Sequence, residues 1–109
     1  MSGSGGFGDL GSLLRQAQKM QREVKRVQDE LRERMVEGTS GGGAVKATVN
    51  GARELVAVKI QREAMDPADP GMLEDLVVAA VAAAMKKADE LQKTELGKVT
   101  GGLNLPGLF

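Results

Sequence analysis

The 109-residue sequence contains no cysteine, histidine, tryptophan or tyrosine. The missing cysteines exclude disulfides and thiolate metal sites, and they suit a reducing cytoplasm. The missing histidines remove the usual general base near neutral pH, and with it Ser-His and Cys-His nucleophile systems and the common zinc sites. Aspartate, glutamate and lysine remain, but no group of them is spaced like a catalytic site, so no enzyme, cofactor or small-molecule substrate is expected. The only aromatics are Phe7 and Phe109, both in the tails. Single-strand binders of the stacking type need an aromatic platform, and none is present. No apolar run is long enough to span a bilayer, and Met1 to Gly8 lacks the charged-then-apolar order of a signal peptide. A net charge is also missing, since 15 basic residues balance 15 acidic ones. That excludes a histone-like polycation and moves the question from total charge to its distribution.

What is present reads as one domain over residues 9–100, with a flexible Gly-rich lead at 1–8 and a loose tail at 101–109. From Asp9, apolar residues recur at Leu10, Leu13, Ala17, Met20, Val24, Val27 and Leu31. Gaps alternating three and four make a heptad seam for dimerisation or packing. Residues 10–33 would form a rod roughly 35 Å long, with more stripe than a small sheet covers, and a partner helix is the simplest cover. Met35-Val36 suggests a short strand before Gly38 and the Gly41-Gly42-Gly43 loop. Val45, Ala47 and Val49 alternate with Lys46 and Thr48, the pattern of a half-buried strand. Asn50-Gly51 suggests a two-residue type I′ hairpin turn returning through Arg53 to Ile60. That turn sets Val45 opposite Val56 and places Val56, Val58 and Ile60 on the core face. After an acid- and proline-rich connection, Asp69 or Pro70 opens a second helix with Leu73, Leu76, Val77, Ala80, Val81, Ala84, Ala88 and Leu91 on its apolar side, running to about Leu96. Hairpin strands flanked by long helices give an α+β class with a three-stranded antiparallel sheet.

Charge is laid out unevenly. Leu10 to Gln28 holds Arg15, Lys19, Arg22, Lys25 and Arg26 against Glu23 alone, while Glu63 to Asp75 holds five acids and no base. Arg15, Lys19, Arg22 and Arg26 are spaced four, three, four, opposite the seam. A straight row of cations suits a line of phosphates on duplex DNA. The same row suits the solvated outer face of a coiled coil, and pairing of Lys19 with Glu23 or Arg26 with Glu30 would blunt it. Asp69, Glu74 and Asp75 suit the positive end of the second helix dipole better than a metal, since their spacing is not that of a calcium loop. Gly41-Gly42-Gly43 is followed by no Lys-Ser/Thr and no helix, so it is not a nucleotide-phosphate loop.

Several stretches resemble the YbaB/EbfC nucleoid-associated proteins: Leu13-Leu14-Arg15-Gln16-Ala17-Gln18-Lys19-Met20-Gln21, the turn Val49-Asn50-Gly51, Met72-Leu73-Glu74-Asp75-Leu76-Val77-Val78-Ala79-Ala80, and the tail Gly101-Gly102-Leu103 through Leu105-Pro106-Gly107. The resemblance covers nearly the whole chain in order. It implies a homodimer with projecting helices, located in the cytoplasm and nucleoid. It also implies binding to double-stranded DNA with little sequence preference and effects on nucleoid organisation and gene expression. It points to Arg15, Lys19, Arg22 and Arg26, with Lys93 as a further contact; Lys25 belongs to the same basic stretch. The alternative is a homodimeric assembly protein that docks to a replication or recombination partner without touching DNA.

Overall fold

The computed structural model describes residues 2–99 and 101, with the backbone alone for 2–8. Helix α1 runs Ser2–Leu31, strands β1 Met35–Ser40, β2 Val45–Asn50 and β3 Leu55–Ile60 form an antiparallel sheet in that order, and helix α2 runs Pro70–Val99. The α+β expectation holds. Helical backbone begins at Ser2 rather than Asp9. No proline interrupts 2–8, and each residue added to an existing helix gains a hydrogen bond without a new nucleation cost. The tail expected at 101–109 lies outside the described residues except for Gly101.

The strand expected only at Met35-Val36 continues to Ser40 and passes through Gly38. Gly38 stays in the strand because α2 crosses it closely. A Cβ there would lie 2.5 Å from the Ala80 carbonyl oxygen and would also collide with the Ala84 amide. Ala80, Ala84 and Ala88, four residues apart, turn methyl groups to the sheet and are fully buried with Val45, Ala47 and Val49. Small side chains on both surfaces let the helix axis approach the sheet, and the buried valines supply most of the apolar area. At its start, α2 is capped by Asp69, whose Oδ1 accepts the Met72 amide at 3.2 Å.

The β2–β3 turn differs from the sequence expectation. Val45 pairs with Ile60, not Val56, and a bulge between Thr48 and Val49 shifts the register near the turn. The loop is Gly51-Ala52-Arg53, closed by the Asn50 amide donating to the Glu54 carbonyl at 3.0 Å. Asn50 Oδ1 accepts the amides of Ala52 and Glu54 at 3.0 and 2.9 Å, and the positive φ, +66°, falls on Arg53. This is the three-residue solution, a turn followed by one left-handed residue. Gly51 is needed for closeness instead. Its amide donates to the carbonyls of Leu31 and Arg34, both at 2.8 Å, and a Cβ would meet the Leu31 oxygen at 2.7 Å. The hairpin tip thus pins the end of α1 and the turn after it, sharing the Leu31 carbonyl with the Arg34 amide. With the new register, Val58 and Ile60 still pack on the core, whereas Val56 is exposed.

A second, smaller core joins Val27 and Leu31 of α1 to Leu96 of α2, with Val24, Leu91 and Val99 around it. Only the C-terminal part of the expected seam is buried within the protomer. Leu10, Leu13 and Ala17 are exposed, and Met20 is half-buried. The chain is therefore long and thin, 81 × 22 × 17 Å, with a radius of gyration of 21.2 Å. A compact chain of this size would have about 13 Å.

Candidate nucleic-acid interface

The part of α1 before Val24, which does not pack on α2, carries Arg15, Lys19 and Arg22. Uninterrupted helix from Ser2 to Leu31 brings them onto one stripe, because steps of four and three residues return to nearly the same azimuth. Arg15 to Arg22 spans about 10 Å along the axis. All three side chains are exposed, and among the described residues none makes an ion pair. The residues that bury α1 against α2, Val24, Val27 and Leu31, lie on the opposite side. The cations therefore face solvent while the apolar side is free to pack.

The stripe ends sooner than its spacing suggests. Arg26 is clamped by Glu23 at 2.7 Å and Glu30 at 2.8 Å. These hydrogen bonds, Glu23's first, raise its pKa further above the ordinary arginine value and hold the charge in a local network. Lys25 pairs with Asp29 at 3.2 Å, and Asp29 also accepts Arg32 at 2.7 Å. The Lys25 hydrogen bond is the main cause holding the Asp29 carboxyl below its usual range, with desolvation opposing it. The Lys19–Glu23 pair that would have blunted the stripe does not form, since Glu23 is engaged by Arg26. Lys93 is exposed on α2. It stands on a different helix from the stripe, three residues before the buried Leu96.

The acidic segment 63–75 lies in the connection before α2 and in that helix's first turns, at the sheet end of the molecule. Its Asp66 and Asp69 carboxylates accept backbone amides of Ala68 and Met72. Among the described residues no group of histidine, cysteine, aspartate or glutamate is placed to hold a metal ion, and no helix is long and apolar enough to cross a membrane.

Cations along one solvent-facing helical stripe suit a polyanion, and comparison with known proteins supplies the family. Residues 6–103 match the model of the YbaB/EbfC DNA-binding family. The chain belongs to that family. Its members are DNA-binding proteins and not enzymes. The chain is 51% identical over 96% of its length to the nucleoid-associated protein TTE0040 of Caldanaerobacter subterraneus subsp. tengcongensis, of which the match covers 94%. It is 48% identical over 94% of its length to a nucleoid-associated protein of Pelotomaculum thermopropionicum, covering 97% of that protein. The fold is similar to the crystal structure of the uncharacterized protein HP0035 from Helicobacter pylori, with a TM-score of 0.72 and 25% identity over 87% of this chain and 97% of that one.

One set of cations escaped the sequence reading. Lys46 on β2 and Lys59 on β3 lie directly opposite each other on the sheet face turned away from α2. The two-residue turn expected from Asn50-Gly51 would have kept them apart. Only the observed register reveals the pair.

Proposed function

We propose that the protein is a nucleoid-associated protein that binds duplex DNA as a homodimer. In this reading Arg15, Lys19 and Arg22 on the projecting part of α1 before Val24 hold the phosphate backbone. The carrying observation is that these three cations share one exposed stripe with no carboxylate engaging them among the described residues. Arg26 and Lys25, held by Glu23, Glu30 and Asp29, contribute less. Backbone phosphates carry no base sequence, so contacts of this kind give little sequence preference. With neutral net charge, no long-range attraction adds to the local one, and affinity falls steeply as salt rises.

The homodimer is supported by surfaces the protomer leaves uncovered. Leu10 and Leu13 on α1 are 53% and 61% exposed, and Val78 on α2 is 68% exposed. Helix α2 lies across β1 and β2, leaving Leu55 and Val56 of β3 about half exposed. A second copy can offer the exposed Val78 side of its α2 to this strip and receive the same in return, the self-complementary relation of a two-fold interface.

The test is a gel shift over a range of salt concentrations with the triple variant R15E/K19E/R22E beside K25A/R26A. Loss of duplex binding in the first, with a modest decrease in the second, is expected. Each phosphate contact removed lowers the slope of log affinity against log salt by roughly 0.9. Unchanged binding by the triple variant would remove the stripe from the interface. A wild-type protein that sediments as a dimer yet ignores duplex at low salt would favour an assembly role, with the bare α1 seam as a docking surface.

A further inference from the structure

We propose that the open face of the sheet is a second DNA-backbone contact, in which Lys46 and Lys59 grip one phosphodiester group of a duplex. The site is distinct from the α1 stripe and does not depend on it.

The antiparallel register pairs Lys46 with Lys59, and the Gln61 amide donates to the Ala44 carbonyl at 2.8 Å two residues further along each strand. Ladder alternation makes Lys46 and Lys59 a hydrogen-bonded pair, with Cβ atoms about 5 Å apart. Like charges so placed repel each other and weaken a sheet. An anion between the two ammonium groups reverses the sign of that interaction. Among the described residues one carboxylate pairs with them: Glu37 on β1 reaches Lys46 at 3.7 Å, beyond hydrogen-bond length. Lys59 makes no ion pair among the described residues.

The surroundings leave room for a phosphate. Gly43, Lys46, Lys59, Ile60 and Gln61 line an open hollow of about 260 Å³. Gly43 gives the rim no side chain; a Cβ there would meet nothing within 4 Å, and its φ of +95° reserves the position for glycine. Around the pair on this face stand Thr39, opposite Lys46, and Thr48, opposite Ala57. These short side chains keep the face low, so a broad rod can approach both ammonium groups. Among the described residues this face has no aromatic ring to stack a base, which selects backbone over nucleobase. With a second cationic surface on another element, one protein molecule contacts DNA at two places.

The decisive measurement is amide chemical-shift mapping of the whole protein with a duplex of about one helical turn, and separately with inorganic phosphate. Duplex is expected to shift Gly43, Lys46, Lys59 and Gln61 at concentrations where phosphate alone leaves them unmoved. The variant K46A/K59A should lose these shifts and keep those around Arg15 to Arg22. Both substitutions are on the exposed face, so the fold survives. Sheet amides that do not respond to duplex, or that respond equally to phosphate alone, would overturn the proposal. Sheet shifts without α1 shifts would leave it standing and refute the helix reading instead.

Discussion

The two ends of this molecule solve different problems with the same helical material. At the sheet end, α2 is held by shape: Ala80, Ala84 and Ala88 lie against a strand that places Gly38 beneath them. At the other end, α1 runs past its last packing partner and exposes Leu10, Leu13 and Leu14. The body is specified by what cannot be enlarged, and the arm by what has not been covered. A single chain that needs both has its fold in the first region and its partners in the second. The contrast explains how a neutral protein can present a cationic surface. Acids gather at the sheet end, before and in the first turns of α2, or pair locally with Arg26 and Lys25, while Arg15, Lys19 and Arg22 stay free on the arm.

The strongest way to break the body is Gly38→Val. The new side chain would have to displace the α2 backbone at Ala80, Ala83 and Ala84, and backbone cannot rotate aside as a side chain can. Overpacking usually costs 1–3 kcal/mol, and this site should exceed that range at about 4 kcal/mol or more. Urea denaturation checks it. A loss below about 1 kcal/mol would mean that α2 does not lie this close to β1.

The contrast between the regions is sharpened by the same truncation made in each. Leu31→Ala removes a residue that is 1% exposed, sits in the small core with Val27 and Leu96, and underlies Gly51. Its expected cost is about 2–5 kcal/mol. Leu13→Ala, at 61% exposure, should change protomer stability by no more than about 0.5 kcal/mol. Denaturation of both variants at low and high protein concentration reads the difference. If Leu13→Ala costs as much as Leu31→Ala, and more so at high concentration, the arm is buried against a second copy in solution.

The legibility of this molecule follows the same division. Helix periodicity, the α2 start at Asp69-Pro70 and the alternation of Val45, Ala47 and Val49 are local patterns, and each could be read before the fold was known. The register of β2 and β3 could not. Asn50-Gly51 is the common dipeptide of a two-residue turn, but here Gly51 is required by the end of α1 at Leu31, twenty positions earlier, a contact that turn chemistry does not predict. The positive φ then passes to Arg53. One tertiary contact moved the register by four positions on β3, exposed Val56 and created the Lys46–Lys59 pair. Charge on α1 was legible as a stripe, but its effective length was not. Whether Glu23 engages Lys19 or Arg26 is decided by rotamers, and both spacings are allowed on a helix.

The smallest expected effect lies where body and arm meet. Arg34, just beyond α1, reaches Glu95 of α2 at 3.1 Å, and Lys98 reaches the same oxygen at 3.2 Å. The Lys98 hydrogen bond is the largest cause lowering the Glu95 pKa below the ordinary 4.5, with Arg34 adding to it and desolvation opposing. A carboxyl with a depressed folded pKa stabilises fully above its unfolded value and loses that contribution as pH falls through the folded one. The joint should therefore hold through neutral pH and loosen only in acid, below the usual glutamate range. Arg34 and Lys98 are exposed and Glu95 is only partly covered, so the gain is small and salt weakens it. Melting temperatures of wild type and Glu95→Gln, measured from about pH 6 to about pH 3, isolate it: the two curves should be separated at the upper end and converge in acid as Glu95 protonates. Curves that stay parallel over the whole range would show that the Glu95 charge does not tie the arm to the body.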